Sequence, residues 1–230
     1  MKKLFILIVA LITANVVYAV EDAVLMRDLS IQNKIDYIGE KILNSNKIDK
    51  RIVFVYDKTD KKNLLKYPVK LSKRQVVLYE YSYKFISNDD EMAGYLARCI
   101  SLALKSYGRA FNGGWNALEI NAAPKKFEIY ADKRAVDYMV KAGYNPIALI
   151  TFIQKSCPEK RYDTISRTNL TSKRLINIYE YIYVKYPYFL ENNEYLNTES
   201  YQNFLLTSVE DRAKLANKLK YNKKLEKKYD

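Results

Sequence analysis

The chain of 230 residues carries 39 Lys and Arg against 26 Asp and Glu, two Cys and no His. The missing histidine excludes Ser-His-Asp and Cys-His catalysis, His-ligated metals and the ordinary near-neutral proton shuttle, leaving carboxylates, Lys, Tyr, Ser and Cys for any chemistry. With 49% apolar and 28% charged residues the balance is that of a globular protein. Six Gly and five Pro are too few for the tight turns of a sandwich or barrel, so the composition predicts a helix-rich domain.

Lys2 and Lys3 precede the apolar run Leu4–Ile12, and Val17-Tyr18-Ala19 places small residues at −3 and −1. This layout predicts a secretory signal peptide over residues 1–19, cleaved after Ala19. The run is short for a membrane span, which takes about 20 apolar residues; an uncleaved anchor is the alternative. Loss of Lys2 and Lys3 lowers the net charge from +13 to +11. The localisation expected is periplasmic or secreted. Lys, Asn, Ile and 22 Tyr are what an AT-rich coding sequence gives, so a pI of about 9.4 is weak support for nucleic acid. Solvated surface explains the charge, or else an anionic envelope surface.

In the mature chain, helical spacing of Val24, Leu25, Leu29, Ile31, Ile35, Ile38, Ile42 and Leu43 predicts an amphipathic helix over Asp22–Asn44. Residues 51–56 and 75–79 are β-branched and aromatic and read as strands, with an extended piece near 64–71. Ser87-Asn-Asp-Asp90 opens a helix with capping-box spacing and Met92, Leu96, Cys99, Ile100 and Ala103 on one face, to about Tyr107. Gly108 and Asn112-Gly-Gly114 then turn the chain. A helix from Pro124 to Ala142 is stopped by Gly143 in a left-handed conformation, and Asn145-Pro146 starts the next, which ends before Cys157-Pro158. Thr171 or Ser172 caps a helix stopped at Pro187, and a last helix is predicted over Tyr201–Leu219. The fold class expected is α+β, a small sheet of two to four strands with helices packed on it. Residues 20–190 form the main domain and 191–230 a basic helical extension.

The stretch Asn88-Asp-Asp-Glu-Met-Ala-Gly-Tyr-Leu-Ala-Arg-Cys-Ile-Ser-Leu102 resembles the active-site helix of the HtpX/BepA-type zinc metallopeptidases (family M forty-eight), D-D-E-L-A-x-x-L-A-H-E-x-x-H. Glu128-Ile-Tyr-Ala-Asp132 parallels that family's E-x-x-A-D element and continues into Ala135-Val-Asp-Tyr-Met and Lys141-Ala-Gly-Tyr-Asn-Pro146, with a weaker match over Ser166–Arg174. The resemblance covers roughly Ile35–Ile182 and implies a zincin-like metallopeptidase fold.

A zincin helix carries two His at i and i+4 on one metal, with Glu beside the first as general base. Here those positions hold Arg98, Cys99 and Leu102, so the implied catalytic set is degenerate. Glu128 stands at the position of the family's third ligand and Asp132 at that of its second carboxylate, and one carboxylate does not hold zinc. The expectation is therefore a metal-free pseudopeptidase without cofactor. At 100° per residue Glu91, Tyr95, Arg98 and Leu102 share a helix flank. Arg98 is then expected either to replace the lost cation by pairing with Glu128 and also Asp132, or to point to solvent. Arg98, Glu128, Asp132 and Tyr95 are the candidate cleft residues.

Cys99 and Cys157 are an even pair in an oxidising compartment, open to a disulfide or, for Cys99, to burial as a small hydrophobe. The tyrosines of Tyr179–Tyr188 read as part-buried structural residues or as a binding stripe. The end Lys220–Asp230 reads as a solvated helix or a contact for anionic lipid. The partner expected is an extended polypeptide or an envelope protein complex, and no nucleic acid. The alternatives are residual metalloendopeptidase activity and a purely structural envelope role.

Overall fold

A computed structural model of the chain describes residues 2–59, 69–70, 75–106, 124–157 and 170–221. The expected turns at Gly108 and Asn112–Gly114, most of the extended piece at 64–71, Ser166, and the lysines beyond residue 221 lie outside these residues. The chain opens with α1 (Lys2–Ser45), followed by strands β1 (Val53–Asp57), β2 (Val69–Lys70) and β3 (Gln75–Tyr79). A short α2 (Glu80–Tyr83) leads to α3 (Asp89–Ser106), α4 (Pro124–Lys141), α5 (Ile147–Ser156) and α6 (Thr171–Lys185). Then come α7 (Tyr188–Glu191), α8 (Glu199–Thr207) and α9 (Val209–Lys220). The α+β class and small sheet are as expected. The sheet has order β1-β3-β2, with β1 parallel to β3 and β2 antiparallel to it.

The helix ends follow from side-chain chemistry. Asn88 Oδ1 accepts the Glu91 amide at 2.9 Å, and Glu91 Oε2 accepts the Ser87 amide at 2.7 Å, a reciprocal cap displaced by one residue from the usual box. At the end of α4, Gly143 takes φ +76°. The Tyr144 amide donates to Met139 O at 2.9 Å and the Gly143 amide to Val140 O at 3.1 Å, the paired bonds of a Schellman turn. Asn145 Oδ1 accepts the Ile147 amide at 3.0 Å, so Asn145-Pro146 starts α5 as the sequence predicts.

Three expectations are corrected. The helix predicted from Asp22 runs unbroken from Lys2, and of its apolar residues only Ile31 onward is buried; Val24, Leu25 and Leu29 are 46%, 58% and 49% exposed. Among the residues whose burial is described, Ile31 is the first buried apolar one, and before it Arg27 reaches back to Glu80 at 2.7 Å. α6 starts at Thr171 itself with Leu170 before it, so neither Thr171 nor Ser172 is its N-cap. The predicted 201–219 helix is two helices, where the adjacent Thr207 and Ser208 hydroxyls turn back onto carbonyls of the preceding turn, Thr207 onto Asn203 O at 2.9 Å and Phe204 O at 3.2 Å and Ser208 onto Phe204 O at 2.6 Å, a bond pattern that bends helices. Among the described residues no helix is long and apolar enough to cross a membrane.

α3 is the central element, packed against α1, α4, α5 and the sheet, which is why it is buried on nearly every side rather than on one stripe. On the far side of β1 the chain reads itself: Gln32 Nε2 donates to Phe54 O at 3.1 Å and its Oε1 accepts the Tyr56 amide at 2.8 Å. One carboxamide thus closes the strand edge as a neighbouring strand would. α1 lies so close to β1 that a Cβ on Gly39 would stand 2.4 Å from the Phe54 ring. Gly39→Ala is expected to destabilise the protein by about 1–3 kcal/mol through overpacking, read as a lower denaturation midpoint at unchanged slope.

Candidate functional site

The candidate residues sit where α3, α4 and the first turn of α6 meet. α3 brings Arg98 inward from its flank, and α4 brings Glu128 and Asp132, one turn apart on one face. Arg98 Nε donates to Asp132 Oδ1 at 2.9 Å. Arg174, from α6, grips the same carboxylate in a fork, Nε to Oδ2 at 2.9 Å and Nη2 to Oδ1 at 2.8 Å. Its third nitrogen, Nη1, stands 3.4 Å from Glu128 Oε1. All four side chains are buried, with Asp132 only 1% exposed. Among the described residues two guanidinium groups face two carboxylates, so these four charges sum to zero and pair with one another, the condition under which buried ions persist.

Arg98 therefore points inward, and its bond is to Asp132, the secondary partner in the expected arrangement; Glu128 is met by Arg174. The reason is a contributor that the sequence did not weigh. Arg174 closed the weakest of the three motif matches, and its role depends on α6 packing onto α4. Burial opposes the Arg174 charge, but Asp132 and Glu128 outweigh it and raise the guanidinium pKa above its ordinary value.

Tyr95 is not part of the cluster. Its hydroxyl donates to Val77 O of β3 at 2.7 Å, and its ring meets Phe152 edge-on at 5.8 Å. Leu102 is half-buried and offers no donor. Cys99 is fully buried; burial pushes its thiol up to about 12, against the smaller downward pull of Arg98 and Tyr95. The activating effect of Arg98 on this sulfur is real and is overwhelmed. Cys99 and Cys157 are both free, and Cys157 Sγ lies 3.8 Å from Arg174 Nη1.

A thiol raised from 9.0 toward about 12 favours the fold fully below pH 9 and loses that contribution as pH climbs through the interval. Alkaline destabilisation over pH 9–12 is expected, shared with Tyr144, Tyr181 and Tyr201, each raised to about 12 chiefly by burial. Cys99→Ala should flatten part of that slope in melts taken across the range. At pH 8 a thiol reagent should modify half-buried Cys157 and leave Cys99 unreacted in the folded protein.

These donors do not fit a zinc ion. The two histidine positions implied by the resemblance hold the guanidinium of Arg98 and the hydrocarbon side chain of Leu102, and the general-base position holds the thiol of Cys99. The remaining carboxylate already faces Arg174, and no three Cys, Asp or Glu side chains converge among the described residues. Within Tyr179–Tyr188, Tyr181 and Tyr186 have structural bonds, donating to Asp137, which Lys185 also pairs at 2.8 Å, while Tyr183 and Tyr188 are 41% and 65% exposed. Lys218 of α9 lies 3.6 Å from Glu180. No family model, curated protein or solved structure matches the chain.

Proposed function

We propose that this protein is a zincin-like pseudopeptidase of the cell envelope. In this reading two arginines have taken over the structural work of a lost metal, and the domain binds extended polypeptide or scaffolds an envelope complex without cleaving it. The observation that carries the reading is the buried Arg98–Asp132–Arg174–Glu128 cluster. The residues aligned with the family's metal-site elements converge, as descent from a metal site requires, and they neutralise one another. The guanidinium fork supplies fixed positive charge and planar donors, which can hold three helices in register but cannot activate water as a Lewis acid does. Among the described residues the two carboxylates of the cluster are poorly placed as general bases, since Asp132 accepts three N–H bonds and Glu128 faces a cation.

The reading is tested by incubating the purified protein with fluorescein-labelled casein. Casein is expected to be retained and to stay intact, with zinc and chelator both without effect. Cleavage that a chelator stops and zinc restores would overturn it.

A further inference from the structure

A second feature lies one to two turns from the arginine cluster along α3. A cleft of about 320 Å³ opens between the start of α3, the end of α5 and the start of α8, at the lower end of the size range of ligand sites. Its floor is built. Glu91, 2% exposed, takes the Thr151 hydroxyl on Oε1 at 2.7 Å, and the Ser87 amide and Lys155 ammonium on Oε2 at 2.7 and 2.6 Å. Lys155 also donates to Ser87 Oγ at 2.8 Å, which leaves the third ammonium proton without a protein acceptor among the described residues. Gln154 from α5 and Asn203 from α8 line the same cleft, and their carboxamides make no hydrogen bond among the described residues.

Charge selects the occupant. Lys155 and Glu91 cancel, and Glu199, which lines the cleft, adds a carboxylate with no ion pair among the described residues, so the cleft disfavours anions. Of the α3 amides that would otherwise attract an anion, that of Glu91 is already taken by Asn88 Oδ1, and the Glu91 carboxylate itself stands beside this helix start on the Ser87 amide. What remains is a set of paired donors and acceptors. A carboxamide offers one of each side by side, and this protein shows what such a group does to an extended chain: Gln32 grips Phe54 O and the Tyr56 amide of β1 in that way.

From this we infer that the cleft holds the main chain of an extended, uncharged polypeptide segment, with Gln154 and Asn203 each pairing with a peptide group and Lys155 donating to a carbonyl. Because the contacts are to backbone, the preference is independent of sequence. The inference rests on the polypeptide-binding reading above and gives it a location away from the arginine cluster.

The test uses fluorescence anisotropy on the full chain with two labelled probes, an unstructured uncharged peptide of Ala, Ser, Thr and Gly and the same peptide with N-methylated backbone amides. The plain peptide is expected to bind and the methylated one to bind at least ten-fold more weakly. The double variant Gln154→Ala, Asn203→Ala should weaken the plain peptide about ten-fold, the effect of losing two hydrogen-bonding groups, at an unchanged melting temperature. Equal binding of both peptides, or undiminished binding by the double variant, overturns the cleft while leaving polypeptide binding standing. If the wild-type protein binds neither this peptide nor casein, the polypeptide-binding reading itself fails.

Discussion

Asp132→Asn is expected to lower stability by about 3–5 kcal/mol, the cost of leaving a buried charge unmatched. The carboxylate accepts from Arg98 and twice from Arg174. An amide of the same shape keeps one oxygen and turns two further N–H donors on the guanidinium groups. The cluster moves from neutral to a net positive charge with little water to spread it. For a chain of this length that corresponds to a fall in melting temperature of roughly 6–20 °C, measured with denaturant unfolding to confirm an unchanged slope. A loss under about 1 kcal/mol would mean that the ions are solvated and the cluster is incidental.

Arg174→Met should cost a similar amount, about 3–5 kcal/mol, for the opposite reason. Asp132 would then keep only its bond from Arg98 and Glu128 would lose the Arg174 charge, leaving the two carboxylates of the cluster facing one guanidinium. Arg174→Lys should recover only part of the loss, because an ammonium is a point charge that cannot span both Asp132 oxygens while reaching Glu128. Combining Arg174→Met with Asp132→Asn restores neutrality, so the double variant should be more stable than the two single losses predict, by about 0.5–3 kcal/mol. Strict additivity would show that Arg174 and Asp132 act separately.

Much of the helical framework was legible in local chemistry. The start of α3, the Gly143 turn and the Asn145-Pro146 start each depend on residues within a few positions of one another, and the structure makes the predicted bonds or close variants of them. What was not legible depends on tertiary context. The apolar spacing of Val24, Leu25 and Leu29 is indistinguishable from that of Ile31–Leu43, yet the first three stay about half exposed. The break at Ser208 comes where two adjacent hydroxyls turn back onto the carbonyls of Asn203 and Phe204, which helical periodicity does not register. In the candidate site, motif resemblance pointed to an inward Arg98 as one of two alternatives, with Glu128 as its main partner and Asp132 as the second; the bond formed is to Asp132. Arg174 was missed as a partner because nothing in the sequence says that α6 lies over α4. The same limit applies to Gln32 and β1, where a side chain 22 residues before its partner acts as a strand edge.

The most direct measurement is a thermal melt of the purified protein in the presence of excess zinc, then after dialysis against chelator, with bound metal determined by mass spectrometry. If guanidinium groups occupy the place of the ion, the melting temperature is the same in both conditions and no zinc is retained. One equivalent of zinc, with a raised melting temperature that Glu128→Gln abolishes, would contradict the account.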